Sequence, residues 1–165
     1  EILFGRNLYI EKEDFLEDPP AKFKRLTPGG MVRLRYGFII RCDEAIYDET
    51  GALNQLNCTY FPESRSGQDK SGLKARGVIH WVDANSCEHV SVRQYGRLFN
   101  VPIPKSADFV DHIDKNSLVE SQGLLEKAVM EKEIERIQFE RIGYFYRDPD
   151  LSRTYNKTVS LKEGF

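Results

Sequence analysis

Short runs in which apolar and polar residues alternate recur along the chain. The clearest run spans residues 31–42, where every second position is apolar or aromatic: Val32, Leu34, Tyr36, Phe38, Ile40 and Cys42. A period of two predicts a strand with one buried face. One strand is therefore expected here, with Arg33, Arg35 and Arg41 in a row on its other face.

Similar patterns predict further short strands. They fall at 7–15 (where the strand runs into an acidic turn), 74–82, 88–99, 134–146 and 154–162, with a hairpin of 45–47 and 55–61 around the turn 48–51. The polar stretch from Pro62 to Gly72 predicts a mobile loop. Eight to eleven short strands predict an all-β, barrel-type architecture.

Two stretches have helical features. Residues 106–114 predict a short helix that is capped by Ser106. Residues 117–133 are ambiguous, because 118–121 suit a strand whereas 124–133 have helical spacing. One or two short helices are therefore expected beside the strands.

The charge distribution points to one binding surface. The chain has 165 residues, enough for one domain or two small ones, and a formal net charge of −2. Residues 22–42 nevertheless carry six basic residues and no acidic one: Lys22, Lys24, Arg25, Arg33, Arg35 and Arg41. Phe23 lies among the first three, a composition that suits a phosphate backbone and an unstacked base. The alternative is that these cations lie on an outer face where they contact only water and bind no ligand.

Several classes of protein are disfavoured by the sequence. The three cysteines are odd in number and lack CxxC spacing, which favours reduced thiols in the cytoplasm. Cys87 and His89 lack a second ligand pair, so no metal site is expected. There is no run of about 20 apolar residues for a membrane span, and no signal-peptide pattern. Known phosphate-loop and nucleophile motifs are also missing, and we expect His80, next to Trp81, to be a packed histidine.

Several segments together resemble a known family. They are KFKRLTPGGMVRLRYGFIIRC (22–42), KARGVIHWVDANSCEHVSVRQYGRLF, and QFERIGYFYRDPD with NKTVSLKEGF. In order and spacing they resemble the C-terminal anticodon-binding region of glutaminyl-tRNA synthetases, from about Gly5 to the end. The resemblance implies two β-barrels of the kind also seen in ribosomal protein L25. It assigns 1–20 and 77–105 to a proximal barrel, and 21–76 and 115–165 to a distal one.

The same resemblance implies a function. The chain is expected to bind the anticodon loop of tRNA(Gln), beside a catalytic domain of the same chain that uses ATP with Mg. That domain is absent from this sequence, which starts at Glu1 without Met, so we expect an excised part that is inactive alone, needs no cofactor, has no membrane partner and is a monomer. The alternatives are the same region of a eukaryotic-type glutamyl-tRNA synthetase, or a stand-alone barrel that binds RNA or the ribosome.

Matching by motif assigns the anticodon contacts. Arg25 is set against the third anticodon base, a G, with Lys24 beside it; Arg33 lies near the first base; Gln138 and Arg141 lie near the central U. Lys22 is included, although it stands where the family has glutamine or a similar polar residue. Two further departures are Gly96, in place of an acidic residue, and residues 119–134, which look more helical than the usual strand.

Overall fold

The computed structural model describes residues 3–105 and 107–161 and confirms an all-β protein. The described residues divide into two compact units, 3–85 and 86–161. The assignment of segments to a proximal and a distal barrel stays a prediction. The expected cap, Ser106, lies outside the described residues.

The first unit contains six strands in two sheets. They are β1 (Leu8–Ile10), β2 (Met31–Leu34), β3 (Ile39–Tyr47), β4 (Leu53–Phe61), β5 (Val78–Ile79) and β6 (Trp81–Asp83). β1 pairs antiparallel with β6, and the other four form a sheet in the order β4-β3-β2-β5. Two 3-10 helices, Lys12–Asp14 and Pro62–Ser64, follow β1 and β4. The core is formed by Phe15, Leu26, Val32, Leu34, Ile40, Cys42, Ile79 and Trp81.

The described residues of the second unit form one sheet of five strands. They are β7 (Cys87–Tyr95), β8 (Leu118–Glu126), β9 (Arg136–Phe139), β10 (Gly143–Arg147) and β11 (Thr154–Ser160), in the order β8-β7-β11-β10-β9. β11 runs parallel to β7, and the other neighbouring strands are antiparallel. The core is formed by Val90, Val92, Leu125, Phe145 and Tyr155.

Residues 31–42 form a hairpin, so the prediction of one strand was wrong. β2 and β3 pair antiparallel, with Met31 opposite Arg41. The Leu34 amide donates to the Phe38 carbonyl (2.9 Å), and the Gly37 amide to the Leu34 carbonyl (2.8 Å), which closes a three-residue loop. The three arginines are therefore not in a row: one is on β2, one in the loop and one on β3.

Two other predicted strands are also interrupted. Residues 134–146 form β9 and β10, again joined by three residues, and 74–82 breaks at His80 between β5 and β6. The strand-to-turn pattern at 7–15 and the hairpin around 48–51 are confirmed. In the ambiguous stretch β8 continues to Glu126, and the helix α1 (Lys127–Glu131) follows it; the expected helix at 106–114 is a 3-10 helix, Phe109–His112.

Gly77 brings two backbone segments into close contact in the first unit. A Cβ at this position would lie 1.9 Å from the Lys24 carbonyl oxygen. On its other side, the Gly77 carbonyl accepts a hydrogen bond from the Arg33 amide at 2.9 Å. Only glycine lets the segment before Leu26 pack against the chain that leads into β5.

We therefore expect Gly77→Ala to destabilise the first unit by about 1–3 kcal/mol, because a backbone carbonyl cannot move as cheaply as a flexible side chain. Urea unfolding measures the change in the free energy of unfolding. Gly96→Ala is the control, since its Cβ would lie 3.6 Å from the nearest atom, the Ser117 carbonyl oxygen. Equal stability of the two variants would contradict the role given to Gly77.

Candidate nucleic-acid interface

Residues 22–25, here called the basic segment, present cations at the surface of the first unit. Lys22 and Lys24 are exposed, and Arg25 is half-buried. Lys22 has a φ of 72°, in the left-handed region that side chains rarely adopt. The carbonyl of Lys24 faces Gly77, so the close approach described above fixes the position of the segment.

The guanidinium of Arg25 is held by the 3-10 helix after β1. Its Nε lies 3.2 Å from Oδ1 of Asp14, whose side chain has no exposed surface. Its Nη1 donates to the Glu13 carbonyl at 3.1 Å. The Leu26 amide donates to the Asp14 carbonyl at 2.9 Å, which ties the two backbones together. Arg25 is therefore oriented before any ligand arrives, and neither bond uses Nη2.

Arg33 is anchored to the loop that follows β4. Its Nη1 donates to the Ser64 carbonyl, and its Nη2 pairs with Oδ2 of Asp69. Hydrogen bonds from Ser71 and from the Arg33 guanidinium hold the pKa of Asp69 below its usual value. This carboxylate is ionised at neutral pH, so a ligand that binds Arg33 through Nη2 must replace it.

The loop itself is tied to the sheet. Ser64 is buried, accepts a hydrogen bond from the Ile39 amide at 2.7 Å, and donates to the Phe61 carbonyl at 2.6 Å. The Ser66 amide donates to the Gly37 carbonyl at 2.9 Å. These bonds place Asp69 beside Arg33.

Gln138 and Arg141 lie on the β9–β10 hairpin of the second unit. Gln138 is exposed and stands opposite the exposed Tyr144, while Ile137 and Phe145 pair on the inner side. Arg141 is half-buried, lies in the three-residue loop and has a φ of 65°. The hairpin thus presents an amide and an aromatic ring side by side.

The structure brings Lys22, Lys24, Arg25 and Arg33 together in one unit, and Gln138 and Arg141 together in the other. Sequence reasoning missed the two carboxylates behind the arginines, Asp14 and Asp69. No pattern distinguishes Asp14 from the five other acidic residues of positions 1–20. Sequence reasoning also missed Tyr144. The alternation in 143–147 places Phe145 inward and Tyr144 outward, and could have identified Tyr144 as an exposed ring.

No group of three or more His, Cys, Asp or Glu side chains within 3–105 and 107–161 is arranged to hold a metal ion. None of the helices in those ranges is long and apolar enough to cross a membrane.

The comparisons with known proteins identify the class of protein. Two family models, both described as the anticodon-binding domain of class I tRNA synthetases (E and Q), match residues 1–61 and 78–148. The chain belongs to this family of anticodon-binding domains. The resemblance expected from the motifs is thereby confirmed.

Similar curated proteins include glutamine–tRNA ligases from several bacteria. The one from Rhodopirellula baltica is 43% identical over 171 residues, covering 99% of this chain and 28% of the relative. Those from Azotobacter vinelandii and Clostridium perfringens are 42% and 39% identical over 172 and 171 residues, covering 98% and 99% of this chain and 31% of each relative. The chain spans less than a third of the length of these relatives.

The Asp14–Arg25 pair predicts a structural cost for Arg25→Ala. Removing the guanidinium takes a cation from a buried carboxylate, and we expect a loss of about 1–2 kcal/mol in the free energy of unfolding. This is below the range for a fully buried pair, because the Arg25 side chain is 36% exposed. Denaturant unfolding checks it.

Lys24→Ala is the control, since that side chain is exposed on the same segment. A double-mutant cycle with Asp14→Asn isolates the pair. The interpretation fails if Arg25→Ala and Lys24→Ala have the same effect, or if the cycle shows no coupling.

Proposed function

We propose that this chain binds the anticodon loop of tRNA(Gln), as the anticodon-reading part of a glutamine–tRNA ligase. The observation that carries the proposal is its similarity, at about 40% identity over nearly its whole length, to proteins named as that ligase. The basic segment on a chain of net charge −2 supports a localised site for an anionic ligand.

Under this proposal the chemistry resides elsewhere in the protein. ATP with Mg is used by a catalytic domain of the same chain, and the anticodon-binding part needs no cofactor and is inactive alone. The whole protein is a monomer and lies in the cytoplasm under the same proposal. The same region of a eukaryotic-type glutamyl-tRNA synthetase is the second candidate, because the family description covers both E and Q. The relatives named above favour glutamine.

Arg25 reads the third anticodon base, a G, in this proposal. The planar guanidinium can offer two donors to the O6 and N7 acceptors of guanine. Asp14 holds Nε and the Glu13 carbonyl takes one hydrogen of Nη1, which leaves Nη2 and the second Nη1 hydrogen as donors for a base. The pair with Asp14 then orients the arginine that makes the base contact.

The remaining site residues are assigned to phosphates or to bases of the anticodon loop by their chemistry. Lys22 and Lys24 are exposed cations on the basic segment and suit phosphates. Arg33 reaches the first base after its Nη2 exchanges Asp69 for the RNA. Gln138 and Arg141 take the central U, to which an amide offers both a donor and an acceptor. Unstacked loop bases expose these edges, as sequence-specific RNA recognition requires.

Binding should weaken with salt, because cationic contacts to phosphates release counterions. We expect log K for tRNA to fall against log salt with a slope of roughly 0.7 per single-strand phosphate contact. Lys24→Gln should lower that slope by about one contact. Fluorescence anisotropy with tRNA at several salt concentrations measures this. A salt-independent affinity, or no binding at low salt, would refute the proposed function.

Base reading by Arg25 predicts a specificity change. Arg25→Ala should cost ~1–3 kcal/mol against a tRNA with G at the third anticodon position, and little against one with C there, whose edge lacks the two acceptors. Arg25→Lys should restore only part of the loss, because an ammonium lacks the planar fork. Affinities are compared at fixed salt and at a temperature where circular dichroism shows each variant folded.

Arg41→Ala is the matched control for this comparison. Arg41 pairs with Asp43 at 2.7 Å on β3 and lies outside the basic segment. Its loss should affect the two tRNAs equally. If Arg25→Ala weakens both tRNAs by the same factor, Arg25 contacts the backbone and does not read the base.

A further inference from the structure

The side chain of Tyr36 is unusually exposed. It lies in the loop between β2 and β3 with 76% of its surface accessible, the highest exposure of any aromatic ring within residues 3–105 and 107–161. Burial in the core stabilises a protein by removing aromatic surface from water, and this ring contributes little of that. Packing in this unit therefore gives no reason for a tyrosine here.

The backbone of Tyr36 is also unfavourable for its side chain. Its φ is 57°, a region that glycine and asparagine adopt easily and bulky residues rarely do. Within the described ranges five residues other than glycine have such a φ: Lys22, Tyr36, Glu133, Arg141 and Arg153. Two of them, Lys22 and Arg141, are proposed anticodon contacts. Unfavourable backbone conformations concentrate at functional sites. Tyr36 therefore shares with Lys22 and Arg141 a feature that is typical of such sites.

The loop that carries the ring is held in place on several sides. The Arg35 amide donates to the Ile79 carbonyl at 2.9 Å, and the Arg35 carbonyl accepts from Nε1 of Trp81, also at 2.9 Å. Trp81 is buried, so the base of the loop is fixed to the core. A ring on such a support is oriented before binding, which lowers the entropy lost on binding.

The surroundings of the ring favour a nucleotide. The Arg35 guanidinium carbon lies 5.8 Å from the ring centroid of Tyr36. A cation beside an aromatic ring is the combination that binds single-stranded RNA, where the base stacks and the phosphate meets the charge. Tyr36 follows Arg33 by three residues, which places their Cα atoms at most roughly 10 Å apart, so both can reach one loop.

We propose that Tyr36 is a stacking platform for an unpaired base of the bound RNA. The inference rests on the proposed function and adds to it an aromatic contact that the motif comparison did not include. The ring, and not the hydroxyl, is the group that acts. The identity of the stacked base has little effect on this contact, because every base has a π-face.

The test separates stacking from folding. Tyr36→Gly removes the ring and relieves the backbone, so the melting temperature should rise by ~2–4 °C, while the affinity of the 165-residue chain for a tRNA(Gln) transcript falls about 10-fold. Tyr36→Phe should bind within about 2-fold of the unsubstituted chain. Glu133→Gly relieves a positive φ elsewhere and should raise the melting temperature without loss of affinity.

Each outcome decides the proposal. Unchanged affinity of Tyr36→Gly, with normal binding by the unsubstituted chain, overturns the role of Tyr36 and leaves the proposed function intact. A loss in Tyr36→Phe equal to that in Tyr36→Gly overturns stacking in favour of a hydroxyl contact. A lower melting temperature for Tyr36→Gly shows that the ring stabilises the fold and also overturns the proposal. Absence of tRNA binding by the unsubstituted chain overturns the proposed function itself.

Discussion

The close approach of two backbones at Gly77 is the constraint on which the first unit's candidate interface depends. The Lys24 carbonyl lies on one side of this glycine, and the Arg33 amide bonds to its carbonyl on the other. The backbones of two basic residues, Lys24 and Arg33, are thereby held next to one backbone position. The alternation of β2 alone could not bring them together, since the basic segment belongs to no strand.

Arg25 and Arg33, the two arginines of this unit that are assigned to the anticodon, each have a carboxylate behind them, and the two carboxylates act differently. Asp14 is buried and positions Arg25 without occupying Nη2. Asp69 is partly exposed and occupies Arg33 directly. The first arrangement orients a donor before binding, whereas the second makes binding an exchange of one anion for another. We infer that Arg25 contributes specificity and that Arg33 is the more sensitive of the two to competing anions.

The sequence predicted the all-β class, the hairpin around 48–51 and the family, but it misplaced the hairpin loops. In the two hairpins that look like single strands, the loop inside the last backbone pair has three residues, so positions on either side keep the same parity. Leu34 and Phe38, joined by a backbone hydrogen bond, flank the first loop, and the paired Phe139 and Gly143 flank the second. A period of two passes through such a loop unchanged and looks like one long strand.

The partners of the site residues were beyond prediction for a different reason. The residues expected to contact RNA followed from motifs, but the carboxylates that hold Arg25 and Arg33 are 11 and 36 positions away in the chain. Their pairing depends on the packing of a 3-10 helix and of a loop without a periodic pattern. The φ values of Lys22, Tyr36 and Arg141 also have no signal in the sequence, because none of these residues favours that conformation.

Chemical footprinting of tRNA(Gln) tests the central proposal most directly. Reagents that modify the base edges of unpaired nucleotides are applied to the tRNA with and without this chain, at fixed salt. The proposal predicts that all three anticodon bases become protected, and that Arg25→Ala exposes the third base again while the other two stay protected. Protection confined to the phosphate backbone, or to bases outside the anticodon loop, would contradict it.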